Sequence, residues 1–156
     1  MTPQQKTAAV SAAVLALATP VVTHFEGEVR HGYRDPIGLI TYCVGHLAKP
    51  GETVKATYTH EECALTLRKD LADHDAGIQS CVTVDMPPEV HAAMLSFTFN
   101  VGVAAFCKST AAALLNARNW AGACAQLKRW TMAGGKILPG LVARRQAEYD
   151  LCMDGA

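Results

Sequence analysis

The sequence predicts an α+β fold, mainly helical, with a small antiparallel hairpin lobe and a cleft between the lobes. Three observations carry that reading. Asp35-Pro36-Ile37-Gly38 is turn chemistry, and the β-prone run from Leu39 to Val44 follows it directly, as in a hairpin. The rest of the chain is punctuated as helices are, by a capping box at Thr59–Glu62, by Pro87-Pro88 and Pro139, and by Gly102. With 156 residues, half of them hydrophobic, and no repeat or low-complexity linker, there is enough chain for one sizeable core.

Taken in order, Thr7 to Val22 is a sixteen-residue stretch without a charge, rich in alanine, behind the positively charged start MTPQQK. It is shorter than the roughly 20 residues that span a bilayer comfortably. Ala16-Leu17-Ala18 has the form of a signal-peptidase site, so a cleaved signal peptide, a signal-anchor that later lets go, and a buried amphipathic helix all fit it. Thr19-Pro20 reads as an N-cap and first helical residue, which predicts a helix from about Pro20 to Glu28. The hairpin comes next, with a third short strand near Thr53 to Ala56 after the Pro50-Gly51 turn.

A long helix should open at Thr59 and run to about Ser80, with Cys63, Leu67, Asp70, Leu71, His74 and Ile78 on one face. A further helix starts at Pro87-Pro88, turns Val90, Met94, Phe97 and Val101 to the core, and stops at Gly102. Shorter helices are expected over 109–116, 119–131 and 139–152.

Net charge is zero but unevenly spread. Residues 106–156 carry seven Lys/Arg against three acids, and residues 1–105 carry seven against eleven. A basic second half suits an acidic polymer, although a plain solvated surface would look the same. Nothing resembles a nucleic-acid motif. Six cysteines without C-x-x-C or any zinc-ligand spacing favour disulfides and an oxidising compartment. Fifteen pairings are possible; the expected one is Cys43–Cys63, Cys81–Cys107 and Cys124–Cys152, the last stapling two C-terminal helices.

The chemistry concentrates between Phe25 and His46. Glu26 ends an apolar run, Asp35 lies nine residues on, and Thr41 six after that. Two carboxylates and a hydroxyl on one groove are what glycosidic hydrolysis needs. One acid protonates the leaving oxygen, and the other activates water or attacks carbon. As the acid, Glu26 must hold its proton near neutral pH, which partial burial beside Phe25 would favour. Read blandly, Glu26 is a helix-end surface glutamate, Asp35 a turn-former and Thr41 a strand threonine. His46 closes the hairpin and reads as the partner of Asp70 rather than as a base or ligand. His31 lies near the groove by sequence.

The spacing E-x8-D-x5-T followed by Gly45-His46 resembles the active-site signature of the phage-type lysozymes, glycoside hydrolase family 24. The similarity continues through Ser96–Gly102, Phe106–Thr110, Leu127–Trp130 and Gly140–Arg145. It implies a lysozyme-like fold and an endolysin muramidase that cuts the β-1,4 bond between N-acetylmuramic acid and N-acetylglucosamine and so lyses the host. It gives Glu26, Asp35 and Thr41 catalytic roles, with Asp35 and Thr41 on the attacking water and inversion at the anomeric carbon. It makes His46–Asp70 a structural pair, Arg144 and Arg145 ion-pair donors, and Leu47, Phe99, Ser109 and Gln126 substrate contacts. It implies no cofactor and no metal.

Some members of that family carry signal-arrest-release segments, and Thr7–Val22 resembles one. The resemblance then divides the chain into a signal-anchor at 1–22 and a catalytic domain at 23–156. The protein would be tethered inactive at the host inner membrane and released to the periplasm, a monomer whose partner is peptidoglycan. A lytic transglycosylase, a non-catalytic peptidoglycan-binding protein and a hydrolase of chitin-like polymers are the competing readings. The first of these has no use for Asp35 and Thr41.

Overall fold

The structure, a computed structural model, describes residues 9–156. The first eight residues of the expected anchor lie outside the described residues. Helix α1 (Ala12–Glu26) is capped by Ser11, whose hydroxyl accepts from the Val14 N–H at 3.2 Å. The expected start at Pro20 is corrected, because α1 runs straight through that proline. Val14, Ala18 and Val22, spaced four apart, are buried on one face, whereas Ala16 and Pro20 face outward. The N–H that proline lacks would have bonded to Ala16, whose carbonyl can turn to water there, so the break costs little. Gly27, at φ 71°, ends the helix, and its N–H returns to the Thr23 carbonyl at 2.8 Å.

The small sheet has β1 (Val29–Arg34), β2 (Ile40–Cys43) and β3 (His46–Leu47), antiparallel in the order β1-β2-β3. Its third strand is therefore His46–Leu47 and not Thr53–Ala56. The chain reverses at once after β2, with Cys43 (φ 56°) and Gly45 (φ 65°) in left-handed conformations, so the next two residues fall into register with Thr41 and Tyr42. Residues 53–56 instead lie alongside β1 without ladder pairing.

Helix α2 (His60–Gln79) carries the full reciprocal capping box between Thr59 and Glu62. Helix α3 (Pro88–Val101) is the core of the larger lobe. Val90 and all residues from Ala92 to Thr98 are buried, and α1, α2 and α7 (Pro139–Gly155) pack around it. Between α3 and α7 come α4 (Val103–Cys107), α5 (Thr110–Asn116), α6 (Trp120–Leu127) and a hairpin of β4 (Met132–Ala133) and β5 (Lys136–Ile137). Neither α4 nor this hairpin is expected above, and α6 stops at Leu127 short of Thr131. Gly134-Gly135, both with positive φ, make the two-residue turn that pairs the flanking residues.

Three disulfides join Cys43 to Cys63, Cys81 to Cys107 and Cys124 to Cys152. The first ties the small sheet to α2, where Tyr42, Cys43 and Cys63 form a second apolar cluster apart from the main core.

Candidate active site

Glu26 is the last residue of α1, so the helix that packs Val14, Ala18 and Val22 into the core also aims the carboxylate. Its side chain is about three-quarters buried, at 24% exposure. One oxygen accepts from the Arg144 guanidinium at 2.7 Å. The other lies against the backbone of Gly45, where an added Cβ would sit 2.9 Å from it. Glycine at 45 thus serves two ends, the left-handed turn and the close approach to Glu26.

Arg144 is itself held. Its Nε–H donates to Glu148 at 3.1 Å and its second terminal nitrogen to the Ser96 carbonyl at 3.1 Å. Glu148, fully buried, also accepts from the Ser96 hydroxyl at 2.8 Å and from Arg145. Arg145 continues to the Trp130 carbonyl at 3.0 Å and to Asn100, and lies over the Phe97 ring. Two guanidinium groups thus meet the carboxyl groups of Glu148 and Glu26, and no buried side-chain nitrogen or oxygen among the described residues lacks a hydrogen-bond partner. Arg144 and Arg145 are therefore ion-pair donors, and one of them reaches Glu26 directly. Glu148 and Ser96 were not singled out in the sequence. The signal was there in Arg144-Arg145-x-x-Glu148, an i,i+3 and i,i+4 pattern on one helix face.

Asp35 follows β1. One carboxylate oxygen accepts from the N–H groups of Ile37 (3.0 Å) and Leu39 (2.8 Å), while the other makes no protein hydrogen bond among the described residues. Thr41 is buried in β2, opposite Tyr33 and Leu47. Its hydroxyl donates a long 3.5 Å contact to the Leu39 carbonyl, which also takes the Asp35 N–H at 2.8 Å. Leu39 therefore holds Asp35 and Thr41 in one unit. Glu26 belongs to another, with Gly45 and Arg144, and no hydrogen bond joins it to Asp35 or Thr41 among the described residues.

His46 lies between two acids. Nδ1 is 2.7 Å from Asp70, and Nε2 is 3.2 Å from each oxygen of Glu52, a residue the sequence reading passed over. Glu52 also accepts from the Lys49 N–H at 2.8 Å and from the Tyr42 hydroxyl. Tyr42 in turn stacks on Tyr58, with centroids 4.4 Å apart. The Tyr42 hydroxyl, then Lys49 and His46, draw the Glu52 carboxyl down to about 2 against an opposing contribution from burial. Burial, with Glu52 next to it, pushes the Tyr42 phenol up.

A carboxyl held that low stabilises the fold above its unfolded value near 4.5, and the contribution disappears as pH falls through about 2. Glu52→Gln should then cost about 1–2 kcal/mol at neutral pH. In urea titrations the gap from the parent should close between about pH 4.5 and pH 2; a gap that is constant with pH removes Glu52 from this account.

Of the expected substrate contacts, Leu47 is exposed on β3 and Phe99 packs against the His74 ring at 5.0 Å. Ser109 caps α5, accepting from the Ala112 N–H at 3.2 Å and donating to the Phe106 carbonyl at 2.6 Å. Gln126 takes a 3.5 Å contact from Arg129. A second acid–histidine pair, fully buried Asp75 with His91, was not read from the sequence, and Gln79 also donates to Asp75 at 2.7 Å.

Residues 23–148 match the family model described as phage lysozyme. The chain is 39% identical to a SAR-endolysin of bacteriophage PS119 over 157 aligned positions, covering 95% of this chain and 92% of that one. It is 41% identical to a SAR-endolysin of Escherichia phage Mu, over 80% of this chain and 72% of that one. Among solved structures, a P22 lysozyme mutant is 31% identical and superposes with a TM-score of 0.79, covering 94% of this chain and 99% of that one.

Proposed function

The chain belongs to the phage lysozyme family, a peptidoglycan-cleaving endolysin, and from that premise we propose which bond it cuts, with which residues, and from where. The bond is the β-1,4 link from N-acetylmuramic acid to N-acetylglucosamine. Glu26 gives its proton to the glycosidic oxygen as the C–O bond breaks. Asp35 and Thr41 hold a water on the opposite face of the sugar. The water's oxygen joins the anomeric carbon and its proton passes to Asp35, so the configuration inverts.

The observation that carries this reading is the separation of the two carboxylates into two differently held units. Glu26 is held by Arg144 and Gly45, whereas Asp35 shares the Leu39 carbonyl with Thr41 and keeps one carboxylate oxygen without a hydrogen bond among the described residues. Inversion needs room for water between the carboxyls, roughly 6.5–9.5 Å. The test follows the products of digested peptidoglycan by NMR and mass spectrometry. Reducing muramic acid ends that appear first as the α anomer are expected. An initial β anomer would make Asp35 a nucleophile, and anhydro ends would make the enzyme a transglycosylase. Leu47, Phe99, Ser109 and Gln126 remain the proposed sugar contacts.

We further infer that residues 1–22 act as the signal-anchor, and that the protein passes from the inner membrane to the periplasm and works there as a monomer. The SAR-endolysin relatives and the uncharged stretch from Thr7 to Val22 support this. No helix of the described residues is long and apolar enough to cross a membrane. The boundary at 22 falls inside α1, so in the released enzyme residues 12–22 belong to a helix of the catalytic lobe and lend Val14, Ala18 and Val22 to its core. While they sit in a bilayer, Glu26 is withheld from Gly45 and Arg144.

Leucine at the exposed positions Ala12, Ala13 and Ala16 raises the apolar content without touching the buried Ala18. Those variants should stay in the membrane fraction and delay lysis. Lysis on the parent's schedule would remove the tether.

A further inference from the structure

β1 is an edge strand, and a groove of about 780 Å³ lies between it and residues 54–56. None of the residues assigned to catalysis lines it. Its walls carry His31, Tyr33 and Arg34 from β1, Ile40 from β2, and Val54 and Lys55 from the facing segment. The groove is built into the backbone. Gly32 lets the two walls approach, since a Cβ there would lie 2.7 Å from a methyl of Val54, and the Tyr58 N–H pins the segment to the Arg30 carbonyl at 2.8 Å.

The lining has three basic side chains and no acid. Arg34 spends one N–H on the Gly38 carbonyl at 2.9 Å and has no carboxylate partner among the described residues. Lys55 pairs with Glu62, but both are substantially exposed, at 53% and 40%, and such a pair is exchanged at little cost. The Tyr33 hydroxyl makes no hydrogen bond among the described residues. A strand edge offers backbone groups to an extended chain, and cations beside it select an acidic one.

We propose that this groove receives the acidic stem peptide of peptidoglycan, in extended form, with its carboxylates on Arg34, Lys55 and His31. The proposal rests on the muramidase reading, which puts a peptide-bearing muramic acid at the site. Tyr33 pairs directly with Thr41, so the groove begins one strand from the residue proposed to hold the attacking water. A stem of four or five residues reaches about 13–18 Å when extended. The subsite then supplies recognition from a part of the substrate that does not react.

The probe is the free tetrapeptide L-Ala-γ-D-Glu-meso-diaminopimelate-D-Ala, titrated into ¹⁵N-labelled full chain. Amide shifts should move at 31–34 and 54–56, saturate in the millimolar range, and weaken as salt is raised. Arg34→Gln combined with Lys55→Gln should weaken binding about tenfold while the remaining spectrum reports an intact fold. The same variant should lose the parent's KM preference for peptidoglycan over glycan stripped of its peptides by an amidase. Absence of shifts at these residues, or equal binding of a tetrapeptide with amidated carboxyls, overturns the subsite. So does unweakened binding in the double variant. An enzyme that cleaves neither polymer would sink the muramidase reading instead, and the titration does not depend on catalysis.

Discussion

Replacing Glu26 by glutamine should abolish lysis, lowering kcat by about 10³-fold or more, because the amide has no proton to give the leaving oxygen. The fold should survive. Arg144 keeps its bonds to Glu148 and the Ser96 carbonyl, and the glutamine oxygen can still accept from the guanidinium that now meets Glu26 at 2.7 Å. The expected loss of stability is therefore small, about 1 kcal/mol or less. Turbidity clearing of a peptidoglycan suspension, read with a melting curve on the same preparation, separates the two effects. Near-normal clearing by a folded variant would end the assignment of Glu26 as the acid.

The second large effect is expected at Cys43 and Cys63. Changing both to serine opens a loop of 20 residues, worth about 3 kcal/mol by loop closure. It also frees Cys43, a non-glycine residue held at φ 56°, to leave its left-handed conformation, a relaxation worth about 1–2 kcal/mol. Gly45, two residues on, is the backbone against which Glu26 rests, so the turn and the acid lose their register together. Activity should fall at least about tenfold even at temperatures where the variant is folded. Serines at Cys124 and Cys152, which join α6 to α7 away from that turn, should cost comparable stability and leave the folded enzyme active. Equal activity losses in the two double variants would mean that only global stability is at stake.

The large helices were legible because their signals are local. The Thr59 box, Pro88 and Gly102 each act within one turn of chain, and each marks a helix end in the structure. Pro20 misled for the same reason: its local meaning is a helix start, but burial of Val14, Ala18 and Val22 along a single face overrides it. The Gly134-Gly135 turn carried a readable signal between two short runs, weak because each strand has only two residues.

In the site, the order Glu26, Asp35, Thr41 was legible as spacing. What held those residues was not, since Arg144 comes 118 positions after Glu26 and Ser96 52 before Glu148. Glu52 looked like a loop acid, because its partners Tyr42 and His46 meet it only once β2 and β3 have folded back on each other.

The three covalent loops, 43–63, 81–107 and 124–152, follow one another along the chain without nesting or overlap. None contains α1. Among the described residues, the helix that brings the acid is thus fastened to the remainder by packing, by the chain through Gly27 and by Arg144, which meets both Glu26 and the Phe25 ring. None of the three bridges takes a thiol from α1. We expect an enzyme of this design to be active when made from two pieces. A chain beginning at Glu28 would wait as a disulfide-closed but acid-less half, and a separate peptide ending at Gly27 would switch it on by mass action, at a concentration set by how well Val14, Ala18 and Val22 fit the groove they left.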